Sequence, residues 1–124
     1  RRYLSLCKPD SLAIGIGNAH GFYNGPVNIH VEVLEQCRMF TDIPFVLHGC
    51  TGMDEELVRR AIKSGVAKIN FGTQVRCNYI QYLKEGLAAN QDEGHAWKLS
   101  SYAESRLRED IKDIIRLAGS EGRV

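Results

Sequence analysis

Three short apolar runs recur along the first part of the chain, at 12–17 (LAIGIG), 44–47 (PFVL) and 66–71 (VAKINF). Each is bounded by Gly, Pro or polar residues and is rich in strand formers, the pattern of strands buried on both faces of a parallel sheet. Between the first two runs, Val31, Leu34, Cys37 and Arg38 fall at helical spacing while Glu32, Glu35 and Gln36 lie off the stripe. Between the second and third, Asp54 is placed to cap a helix whose Leu57, Val58, Ala61 and Ile62 form one face, with Gly65 at the stop. Alternation of strand and helix implies right-handed parallel crossovers.

Two further helices are predicted near 75–88 and 101–118, the second with Leu107, Ile111, Ile114, Ile115 and Ala118 on one face before Gly119. Residues 90–96 (NQDEGHA) read as the polar connection between them. The α/β alternation admits a doubly wound sheet or part of a (β/α)8 barrel. Each apolar run ends in a Gly-containing polar segment: Asn18-Ala19-His20-Gly21, His48-Gly49-Cys50-Thr51-Gly52 and Asn70-Phe71-Gly72-Thr73. Function in parallel α/β proteins gathers at such carboxyl ends, and neighbouring strands about 4.8 Å apart can direct all three segments at one ligand.

The whole chain adds mainly exclusions. Its 124 residues, 44% of them hydrophobic, suit one folding unit. Sixteen basic and fifteen acidic side chains leave a formal charge of +1, so nucleic acid and anionic membranes are not expected partners, and any anion must be held locally. No apolar run approaches the roughly 20 residues that span a bilayer, and Arg1-Arg2 is not followed by a secretory hydrophobic stretch. A soluble, cytoplasmic protein is the expectation. Cys7, Cys37, Cys50 and Cys77 are widely spaced and read as reduced thiols, Cys50 as a packing residue inside its motif.

His20 and His48 are separated by one strand-helix-strand repeat, which can bring both imidazoles to the same height on adjacent strands as ligands of zinc or a related metal. His30 and His95 lack such a setting and are expected at the surface. The Gly49-Cys50-Thr51-Gly52 loop immediately precedes a helix start, so its backbone N–H groups and the Thr51 hydroxyl can face an anion, with phosphate the natural candidate. Asn70, Gly72 and Thr73 repeat that arrangement one strand later. Lys68, two residues before Asn70, is expected on the same interior side of its strand; a buried lysine there could form a Schiff base, the main mechanistic rival.

Taken in order, GNAHGFYNGP, PFVLHGCTG, VRRAIKSGVAKINFGT and the closing AGSEGRV resemble the class II, metal-dependent fructose-bisphosphate and tagatose-bisphosphate aldolases across nearly the whole chain. The resemblance implies about the last three β/α units of a TIM (β/α)8 barrel, with residues 1–124 a single partial domain forming the C-terminal portion. It implies that His20 and His48 bind Zn2+ or another divalent transition metal, with a monovalent cation as a further candidate. It also implies that Gly21, Gly49, Cys50, Thr51, Asn70, Phe71, Gly72 and Thr73 hold a substrate phosphate. The implied reaction is reversible cleavage of fructose-1,6- or tagatose-1,6-bisphosphate to dihydroxyacetone phosphate and glyceraldehyde 3-phosphate.

The chain departs from the family pattern in three respects. Such barrels need about 250 residues, so a third metal histidine and the acidic general acid/base are expected outside this chain, no catalytic residue is assigned within it, and by itself it is expected to be inactive. Homo-oligomerisation or association with the remaining barrel half is the expected assembly. Asn24 stands where many relatives carry a phosphate-contacting lysine, and Gly72 where fructose-bisphosphate enzymes often carry an aspartate, which leaves the sugar epimer open. An inactive phosphosugar-binding module is the alternative from a different functional class.

Overall fold

The computed structural model describes residues 2–22, 25, 28–91 and 94–123. In chain order these form α1 (Arg2–Leu6), β1 (Leu12–Ala13), α2 (Val31–Arg38), β2 (Phe45–Leu47), α3 (Glu55–Lys63), β3 (Val66–Ile69), α4 (Thr73–Ala89) and α5 (Ala96–Leu117). They divide into two compact units, Arg1–Phe71 and Gly72–Val124. Among the described residues no helix is long and apolar enough to cross a membrane.

The first unit is α/β, built on a three-stranded parallel sheet in the order β1-β2-β3. The central strand is all apolar and entirely buried, Phe45 to the point of having no exposed surface. Val31 and Leu34 of α2 and Val58 and Ala61 of α3 complete the core with Ile16, so the helical faces read from the sequence are those that pack. At the start of α3 the Asp54 carboxylate accepts the Glu56 N–H at 2.8 Å, satisfying one of the orphan donors of a helix start. Replacing Asp54 with alanine is therefore expected to cost about 1 kcal/mol, while asparagine, an equally good cap, should be close to neutral; urea melts of the two variants check this.

β1 is shorter than its apolar run. Leu12 and Ala13 pair with Phe45 and Val46, but the backbone then leaves the ladder. The Ile16 N–H donates to the Asn18 side chain at 3.0 Å and the Ile16 carbonyl accepts from the His30 N–H at 2.8 Å. Ile16 thus stays in the core while a side chain and a loop, rather than a neighbouring strand, take its backbone hydrogen bonds. Between β2 and β3 the register shifts: Phe45 faces Val66, Val46 faces Lys68 and Leu47 faces Ile69. One extra residue on β3 lets Asn70 continue the ladder through its N–H to the Leu47 carbonyl at 3.0 Å, which brings Asn70 to the level of His48.

The second unit is a pair of antiparallel helices. Asn78 and Tyr82 of α4 both donate to Asp110 of α5, at 2.7 Å and 2.9 Å, and Gly86 lies buried against Tyr102 nearer the connection. α4 begins two residues before its expected position and α5 five before. The apolar face expected on α5 is only partly covered, with Ile111 and Ile115 39% and 40% exposed.

Candidate functional site

The carboxyl ends of the three strands converge within the first unit. His20 follows β1 through the 14–19 segment, His48 directly follows β2, and Asn70 directly follows β3. The imidazoles of His20 and His48 have centroids 5.4 Å apart and planes inclined at 71°. His48 is half-buried and His20 exposed. The Asn70 side-chain nitrogen lies 3.1 Å from His48 Nδ1 and 3.4 Å from Nε2, so the residue that the β3 register raises to this level lies against the His48 ring. Among the described residues no group of three or more His, Cys, Asp and Glu side chains is arranged to hold a metal ion; the pair of imidazoles is what the strands bring together.

Asn18 carries no role in the sequence reading beyond membership of its strand-end segment, yet it joins two loops. Its side-chain oxygen accepts from Ile16 and its side-chain nitrogen donates to the His48 carbonyl at 2.6 Å. The signal available in the sequence was its type and place, an asparagine two residues before a strand-end histidine.

The Gly49–Gly52 loop turns tightly, with the Met53 N–H donating to the Cys50 carbonyl at 3.1 Å. Cys50 and Thr51 are both buried, at 3% and 4% exposure. Burial pushes the Cys50 thiol up to about 11, so it is protonated and unreactive at neutral pH, in keeping with its reading as a packing residue. The first turn of α3 beyond this loop carries Glu55 and Glu56 and is capped by Asp54. The Asp54 carboxylate already takes one amide of that helix end, and the acidic first turn would repel an anion placed there.

The remaining candidates are distributed as follows. Gly21 has a positive φ of 94°, and Phe71 closes the first unit half-buried. Gly72 and Thr73 open the second unit, as N-cap and first residue of α4. Asn24 lies outside the described residues. Lys68 is exposed among the described residues rather than buried. His30 is exposed and bonded to Glu32 at 2.7 Å, and His95 is exposed beside Trp97, both at the surface as expected.

Comparison with known proteins adds a family. Residues 1–123 match the family model for fructose-bisphosphate aldolase class-II. Among solved structures the chain is similar to the YdjI aldolase from Escherichia coli K12, at 29% identity and a TM-score of 0.78, over 98% of this chain and 43% of that one. It also shares its fold with the fructose-bisphosphate aldolase of Campylobacter jejuni, at 19% identity and a TM-score of 0.75, over 89% of this chain and 40% of that one. The chain spans less than half the length of either.

Proposed function

This chain belongs to the class-II fructose-bisphosphate aldolase family, and from that premise we propose that it is the C-terminal part, about three β/α units, of a (β/α)8 aldolase barrel acting on a ketose bisphosphate. The observation that carries the reading is the pair of imidazoles 5.4 Å apart at the ends of neighbouring strands. Their geometry suits a shared ion: with zinc–nitrogen bonds of about 2.1 Å and a tetrahedral angle, two ring centroids on one metal lie roughly 5 Å apart. The donor set, two neutral nitrogens beside an amide, also suits zinc or a neighbouring transition metal better than calcium or magnesium.

In this reading His20 and His48 would hold the cation, with the Asn70 amide lying beside the His48 ring. A divalent cation held there supplies Lewis-acid polarisation of the ketone and hydroxyl oxygens of the three-carbon fragment, which favours breaking the adjacent carbon–carbon bond. The backbone around Gly21, Gly49, Cys50 and Thr51, with that of Asn70 and Phe71, anchors the phosphate and so orients that fragment. The third metal ligand and the group that moves the proton are assigned to the part of the barrel that this chain does not span. The same reading carries a cytoplasmic protein of sugar-phosphate metabolism, on fructose or tagatose bisphosphate, as a homo-oligomer or in association with the remaining barrel half.

The test is chelation of the protein in its complete catalytic context, followed by zinc or cobalt. Loss of aldol cleavage with the chelator and its return with metal is the expected result. Undiminished cleavage after chelation, with borohydride trapping the substrate on Lys68, would replace this reading with the covalent one; phosphate-ester binding without turnover would replace it with a binding module.

A further inference from the structure

The ladder between β1 and β2 ends at Ala13 and Val46, well short of His20. Strand pairing therefore does not fix where the His20 loop stands relative to His48. Two contacts at the level of the histidines do so. The Asn18 side chain accepts from Ile16 in its own loop and donates to the carbonyl of His48 in the next, at 3.0 Å and 2.6 Å. One residue further along each loop, the Ala19 carbonyl sits against Gly49 so closely that a Cβ there would collide with it. We propose that Asn18 is a positioning residue, clasping the two loops so that the imidazoles of His20 and His48 meet over one cation.

The clasp presupposes the metal reading given above but is made of separate atoms. An asparagine is the side chain that can accept from one backbone and donate to another from a single amide group. Its two bonds close a bridge from the core residue Ile16, which is 1% exposed, to the peptide of a metal-binding candidate. Bridging the backbones fixes both Cα positions, and with them the directions in which the rings leave the chain. A leucine of similar size would fill the space without either bond. An aspartate would keep the acceptor for Ile16 but present a second acceptor to the His48 carbonyl, turning an attraction into a repulsion while leaving the volume unchanged.

The experiment compares Asn18→Leu and Asn18→Asp with the parent full-length protein, titrating Co(II) and following its visible absorption. Both variants are expected to bind cobalt about 10- to 100-fold more weakly, the range for groups that hold metal ligands in place. The aspartate result is the sharper, because an added negative charge near a cation would by itself strengthen binding. Asn18→Asp affinity within about twofold of the parent overturns the proposal, since the range expected for lost ligand support begins near tenfold. A second measurement is independent of metal: crystal structures of the metal-free parent and Asn18→Asp proteins should show the imidazoles further apart in the variant. Unchanged ring separation overturns the positioning role whether or not cobalt binds. A parent protein that takes up no cobalt, with rings that separate in the variant, overturns the metal reading alone and supports the clasp.

Discussion

His48→Ala is expected to reduce zinc or cobalt affinity by more than about 100-fold, beyond the range for losing a group that merely supports a ligand. In the complete catalytic context it should lower kcat/KM for ketose-bisphosphate cleavage by about a thousandfold or more, since the polarisation lost is worth several kcal/mol. His48 follows directly on the most buried strand of the sheet, and its ring meets both His20 and Asn70. Removing the ring leaves His20 without a partner imidazole and Asn70 without the ring it faces. The cost to folding should be modest, because His48 and Asn70 are only half-buried and water can reach the amide. His30→Ala is the control: that ring is exposed and engaged with Glu32, and its loss should leave metal affinity at the parent value. Metal titration, turnover and urea melts on both variants separate ligand loss from unfolding; parental metal affinity in His48→Ala would remove the basis of the proposed function.

What could be read from the sequence was what local physics decides. The stripes of Val31 and Leu34 and of Val58 and Ala61 are buried because an amphipathic helix has one apolar face to offer. Asp54 caps where it stands because it precedes a helical run whose second N–H it can reach. The strand ends were legible because polar, Gly-containing segments interrupt apolar runs there, and a parallel sheet with one helix between strands brings those ends to one side. Less legible was anything set by partners distant in the chain. β1 stops at Ala13 because the side chain of Asn18 and the N–H of His30 take the backbone groups of Ile16, and periodicity carries no trace of that. Strand alternation points Lys68 inward, but the register shift in β3 falls just before it, and Ala67 and Lys68 are both exposed. The short helix Arg2–Leu6 has neither a capping pattern nor length enough for a periodic signal.

Gly49→Ala is expected to have the largest effect on stability of any single methyl added to the site, at least about 2 kcal/mol, with a parallel loss of metal affinity. Two costs combine. Gly49 has φ of +64°, a left-handed conformation that costs a residue with a Cβ roughly 1 to 2 kcal/mol. The added methyl would also run into the backbone of Ala19, and backbone cannot rotate aside as the end of a flexible side chain can. Gly21→Ala separates the two contributions. It has φ of +94°, but among the described residues nothing lies within 4 Å of the position its Cβ would take, so only the conformational cost should appear. Because φ of +94° is the less favourable for a residue with a Cβ, a larger loss in Gly49→Ala than in Gly21→Ala in urea melts is attributable to pushing the Ala19 and Gly49 backbones apart. Because those backbones adjoin His20 and His48, the part of the destabilisation that comes from separation should weaken cobalt binding in Gly49→Ala. Equal melts for the two variants, or a destabilised Gly49→Ala protein that still binds cobalt as the parent does, would mean that the close approach of the two loops sets neither the stability of the site nor the spacing of its histidines.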